Sequence, residues 1–130
     1  MTPVRDLAGL LAAAAPHLQE RRVAVVALDG FSPPSLPADA LIGSFREAEG
    51  LTLYVDLAAA EAAGLPIAFR AAWITMSVHS ALDAVGFTAA FAAALAQAGI
   101  SCNVIAGARH DHLLVPLDSA EAAMRVLRGL

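Results

Sequence analysis

Lysine is absent from this chain, and its eight basic residues are all arginines, scattered singly except for the adjacent Arg21 and Arg22. Twelve acidic residues outweigh them, giving a net charge of -4 and an isoelectric point near 5.4. The clustered basic surface that neutralises phosphates is therefore missing, which excludes DNA and RNA as direct partners. Cysteine is almost absent too. Cys102 alone permits no intrachain disulfide and no thiolate metal cluster, and it fits a reducing, cytoplasmic compartment. Aromatic residues make up 5% of the chain and charged residues 15%. What is abundant is small and apolar: 58% of residues are hydrophobic and the mean hydropathy is +0.66, much of it from alanine, a strong helix former. The 130 residues can bury about two-thirds of their unfolded surface without a staple. The remaining apolar excess suggests a subunit interface, so a homodimer or higher homo-oligomer is expected.

Two apolar stretches need another explanation than the membrane. Leu7 to Ala15 is followed by Pro16, like a short secretory signal, but Asp6 cancels Arg5 and the leucines at 7, 10, 11 and 18 have helical spacing. Residues 84–108 carry no formal charge, yet Gln97, Gly99, Ser101 and Asn103 interrupt them and the period changes partway, which predicts a helix followed by a strand.

The elements fall into two similar halves. After the first helix, Arg22 to Leu28 is a β-rich run, and the stretch from Gly30 to Ala40, with Pro33, Pro34 and Pro37, must be a loop. Ile42 to Glu47 and Leu51 to Asp56 flank the turn signal Ala48-Glu49-Gly50, and Leu51, Leu53 and Val55 alternate with polar residues, predicting a hairpin with one buried face. Asp56 then caps a short alanine-rich helix ending at Gly64. In the second half, Ile74, Met76 and Val78 alternate with Trp73, Thr75, Ser77 and His79, a half-buried strand. From Gly86 the period switches: Phe87, Phe91 and Leu95 recur every four residues until Gly99 stops the helix. Ile100 to Ala106 and Asp111 to Leu117 read as strands around the turn Gly107-Ala108, and Asp118 with Glu121 resembles a capping box for a last helix.

The order strand, helix, strand, strand, helix is most of a ferredoxin-like (βαββαβ) unit, and the first half repeats it with the proline loop in place of its first helix. The expectation is an α+β fold of two modules in tandem: residues 1–65, a rudimentary module with an N-terminal helix, and residues 66–130, a fuller one. The second lacks a final strand, which a strand from the first half would supply.

The stretch "AVGFTAAFAAALAQAGIS" from Ala84, followed by "HDHLLVP" from His110 to Pro116, resembles an ACT domain, and is similar to bacterial tandem ACT-like proteins. The resemblance covers the second half in detail and the first more loosely. It implies a non-catalytic regulatory protein that binds an amino acid at a module or subunit interface.

Residue chemistry agrees at several positions. The free N–H groups of Gly86, Phe87 and Thr88 at the helix start would welcome a carboxylate, and a glycine there either admits close approach of a ligand or another backbone or only relieves crowding at a tight turn. Asp111 shares strand parity with Leu113 and Val115, which puts an acid at the edge of the core-facing side, suited to an ammonium or guanidinium group, or else to a plain pairing with Arg109 or the capping of a turn. By the resemblance, Asn103 and Val104 lie on the neighbouring strand and offer backbone or amide contacts. His110 and His112 share a strand face, but a third ligand would have to be His79, brought by folding, so neither a metal nor a cofactor is expected. Cys102 reads as a small hydrophobe. Ser77, Ser80, His79 and Asp83 supply hydrolase residue types without a nucleophile elbow, so catalysis is not expected. The competing reading is an interaction module that assembles through an exposed sheet face around Trp73, Thr75, Ser77 and His79 and takes no small molecule.

Overall fold

The computed structural model describes residues 2–130. In chain order the elements are α1 (Leu7–Ala13), β1 (Pro16–Ala27), β2 (Leu41–Arg46), β3 (Leu51–Asp56), α2 (Leu57–Ala62), β4 (Ile67–Met76), α3 (Phe87–Gln97), β5 (Asn103–Ala106), β6 (Asp111–Pro116) and α4 (Ala120–Arg128), with a 3-10 turn at Leu117–Ser119 before α4. The chain forms two compact units: Glu20–Ala71, and a unit built from the residues up to Gln19 together with Ala72–Leu130. Among the described residues no helix is long and apolar enough to cross a membrane.

In the 20–71 unit the strand order is β2-β3-β1-β4. Alternation in β3 buries Leu53 and Val55, and β3 pairs antiparallel with β1 from Val23 opposite Asp56 to Ala27 opposite Thr52. It pairs with β2 on its other side, with a register slip between Leu41 and Gly43. The Asp56 carboxylate caps α2 by accepting from the Ala59 N–H, and Gly64 leaves the helix at φ +64°. Residues 28–40, rich in proline, form the loop where a first helix would otherwise stand. Gly50 is required at its turn: its φ is +153°, and a Cβ there would meet the Leu28 carbonyl oxygen at 2.0 Å.

The other unit has the order β1-β4-β6-β5. The place of the missing final strand beside β4 is taken by β1, from the first half of the chain; nearby, the Ser77 N–H donates to the Ala15 carbonyl at 2.9 Å. One sheet face and three helices enclose the core of Ile74, Met76, Leu113 and Val115 with Phe91 and Leu95 of α3, Leu127 of α4 and Leu10 of α1. Phe87 and Phe91 meet edge to face, their centroids 5.2 Å apart. Each such fully buried side chain contributes about 1.5–3 kcal/mol of transfer free energy.

Four local expectations are corrected. The strand that alternation carried to His79 ends at Met76, because His79 bonds to Val4 instead of to a neighbouring strand. β1 begins at Pro16, not at Arg22, because pairing partners rather than apolar alternation carry its first residues. β5 is only Asn103–Ala106, since the Ile100 N–H is still occupied closing α3 onto the Leu95 carbonyl. The capping box of Asp118 and Glu121 does not form: the 3-10 turn intervenes, and the N-cap of α4 is Ser119, with no side-chain hydrogen bond.

Candidate functional site

The sequence-predicted site residues all lie in the 72–130 unit: Gly86, Phe87 and Thr88 where residues 77–86, which connect β4 to α3, run into the helix, and Asn103, Val104 and Asp111 on β5 and β6. The first part of this connection is fixed from two sides. Val4 bridges it through its N–H to the His79 carbonyl (2.7 Å) and its own carbonyl to the Ala81 N–H (2.8 Å). The start of β6 holds it as well. The Ser80 hydroxyl donates to Asp111 Oδ2 at 3.1 Å, and His110 Nδ1 lies 3.2 Å from the Val78 carbonyl oxygen. That oxygen can only accept, so Nδ1 of His110 carries the proton.

Asp111 is 8% exposed. Strand parity turns it inward with Leu113 and Val115, as expected, but its partner is Ser80 rather than Arg109. A carboxylate has about four acceptor directions, and a single hydroxyl leaves most of them available. Ser80 was not legible as its partner: the two are 31 residues apart and no periodicity relates them.

The connection ends at Gly86, which caps α3 with φ +95° and no side-chain hydrogen bond to the helix start. A Cβ at Gly86 would come within 3.3 Å of Leu7 Cδ2, so the space above it is taken by α1. Phe87 is buried in the core and offers only its backbone N–H, whereas Thr88 is exposed. Across β5 and β6, Val104 stands opposite Leu113 and shares the face of Asp111, two residues along; Asn103 stands opposite Leu114 and turns to the other face. Asp111, Ser80 and Val104 thus gather on one side, with the α3 start reached through the connection from Ser80 to Gly86. Beyond it, Leu82 and Val85 are 71% and 83% exposed, and Arg5 pairs with Asp83 between them.

The second sheet face is not open as anticipated. Thr75 is buried and Trp73 and His79 are half-buried, leaving Ser77 as the exposed member of the four. Trp73 Nε1 donates to His112 Nδ1 at 3.1 Å, and Thr75 Oγ1 lies 3.0 Å from the same nitrogen. His79 and His110 come within 6.2 Å, ring to ring, but among the described residues no three His, Cys, Asp or Glu side chains converge on a metal position. Cys102 is half-buried, and burial pushes its thiol pKa up, away from nucleophilic chemistry.

The 20–71 unit holds two open depressions of about 340 and 280 Å³ that share Arg21 and Asp56. Arg21 donates to the Asp39 carbonyl at 2.6 Å and reaches Asp56 at 3.5 Å.

Comparison with known proteins covers the whole of this architecture. A family model described as ACT domain matches residues 69–129, and a second, likewise an ACT domain, matches residues 2–72. No curated protein matches. Among solved structures, VC0802 from Vibrio cholerae, titled a protein of unknown function and possible transport protein, is 39% identical, with a TM-score of 0.77 over 92% of this chain and 91% of that one. Atu0741 from Agobacterium tumefaciens is 16% identical, with a TM-score of 0.64 over 84% and 81%. The regulatory subunit of aspartate kinase from Thermus flavus is 14% identical, with a TM-score of 0.56 over 90% and 95%. The last two share the fold.

Proposed function

Since the chain belongs to the ACT-domain family, with two such domains in tandem, we propose that it is a non-catalytic regulatory protein that binds a free amino acid beside Asp111 and passes the binding on to a protein partner. The observation that carries this reading is the Asp111 carboxylate, buried and answered by one hydroxyl, on the strand next to a connection that ends at an uncapped helix start. The ammonium group of the ligand pairs with Asp111. Its carboxylate meets the N–H groups of Gly86, Phe87 and Thr88, where the helix dipole favours negative charge. Val104 borders the site, and Asn103 contributes through its backbone. The fold shared with a regulatory subunit of aspartate kinase supports the regulatory half of the reading. The protein acts in the cytoplasm, as a homodimer or higher homo-oligomer.

Thermal unfolding with each of the twenty amino acids tests this. A ligand that binds only the folded state adds about 2.7 kcal/mol at 100 times its dissociation constant. A selective upward shift is expected, and it disappears in Asp111→Asn, which keeps an acceptor for Ser80 but removes the charge. No shift with any amino acid, or one that Asp111→Asn leaves intact, overturns the reading.

The exposed Leu82 and Val85 favour a second reading, an interaction module without a small ligand. It expects self-association in sedimentation that weakens in Leu82→Ser/Val85→Ser and ignores every amino acid added.

A further inference from the structure

The second face of the 72–130 unit carries a hydrogen-bonded chain that the ligand reading leaves unused. Gln19 Nε2 on β1 donates to Thr75 Oγ1 on β4 at 3.0 Å, Thr75 Oγ1 reaches His112 Nδ1 on β6 at 3.0 Å, and Trp73 Nε1 on β4 reaches the same nitrogen at 3.1 Å. An indole nitrogen only donates, so His112 Nδ1 must accept. The single proton of the neutral ring therefore sits on Nε2. Thr75, accepting from the Gln19 amide, has its own hydrogen to point at Nδ1. Two donors thus converge on one lone pair.

A second proton on this ring has one place to go, Nδ1, where it turns the acceptor into a donor. An N–H would then face the indole N–H, and the Trp73 bond breaks; Thr75 can turn its hydrogen away and accept from the ring with its second lone pair while keeping the bond from Gln19. His110 is the reverse case, since its Nδ1 donates to the Val78 carbonyl. The charged or titratable groups acting on the His112 ring are His110 and Asp111 on its own strand, while Trp73 and Thr75 of β4, and Gln19 of β1 behind Thr75, are neutral.

We propose that His112 is a proton-sensitive latch: neutral, it ties β6 to β4 through Trp73 and Thr75, and protonation at Nδ1 breaks the Trp73 tie and loosens the strand that carries Asp111. Burial pushes the ring down from the ordinary histidine range, His110 pushes the same way, and Asp111 opposes them. A folded-state value below the unfolded one means that the unfolded chain binds more protons in the window between. The latch is then complete above about pH 6.5 and its stabilisation is lost progressively as pH falls from there through the folded-state value.

The single tryptophan is Trp73 itself, which makes its fluorescence a direct reporter. In wild-type protein its emission should change on acidification with a midpoint below about 6.5, and the melting temperature should fall between about pH 7.5 and about pH 5. His112→Asn, which offers an amide oxygen near the Nδ1 position and cannot titrate, should lose the emission change and show a smaller fall. Long-range proton–nitrogen NMR of the wild-type imidazoles at neutral pH reads the tautomer without any variant, and Nε2–H is expected for His112. An Nδ1–H tautomer, a midpoint at or above the ordinary histidine value, or an equal fall in His112→Asn would overturn the latch.

Discussion

A methyl group at residue 50 has nowhere to go, since the Leu28 carbonyl oxygen stands 2.0 Å from the position it would take and the backbone there has φ +153°. Gly50→Ala is expected to lower stability by more than about 1 kcal/mol, because the left-handed strain and the clash add. Gly86→Ala is milder: the flexible end of Leu7 can yield at 3.3 Å, and the cost is mainly that of φ +95°, about 1–2 kcal/mol. Phe91, fully buried between α3 and the sheet, should cost about 3–5 kcal/mol when truncated to alanine. Urea unfolding followed by Trp73 emission measures all three. The order is the test, with Phe91→Ala the most damaging and Gly86→Ala milder than Gly50→Ala.

At the scale of elements, α2 is only six residues long and depends on its cap, so Asp56→Ala should destabilise by about 1 kcal/mol in the same assay, and it also removes the carboxylate that Arg21 reaches. That cap was legible in the sequence, as were the β2–β3 hairpin and α3, because each is set by neighbours within a few residues: the alternation of Leu51, Leu53 and Val55, or Phe87, Phe91 and Leu95 at helical spacing. The start of β1 was not. His17, Gln19, Glu20 and Arg21 do not alternate as apolar and polar, and their extended backbone follows from sheet pairing, which only folding supplies. The candidate site divides the same way. The parity of Asp111 was legible from β6, and the placement of Gly86 from the change of period. The hydrogen bonds from Ser80 to Asp111 and from Trp73 to His112 span 31 and 39 residues, so no local rule relates the partners.

For the molecule as a whole, the composition of the 72–130 unit decides what can stand alone. Its core includes Leu10, fully buried, with Val4 and Leu18 packed against it, all from the far end of the chain. A fragment of residues 66–130 lacks these side chains and leaves the flank of β4 without β1. It should therefore be poorly soluble or molten, binding a hydrophobic dye and lacking a cooperative thermal transition, whereas the full chain unfolds cooperatively. A well-dispersed NMR spectrum from a monomeric 66–130 fragment would contradict this account of the core.

β1 and β4 each supply residues to both units, β1 up to Gln19 to one and from Glu20 to the other, β4 up to Ala71 to one and from Ala72 to the other. Seen as heredity, this makes the tandem indivisible. A recombination point between the two repeats would hand each product a module short of one strand, and a duplication of either repeat would leave an orphan edge. Two ACT domains joined in this way are expected to be gained or lost together, as one part.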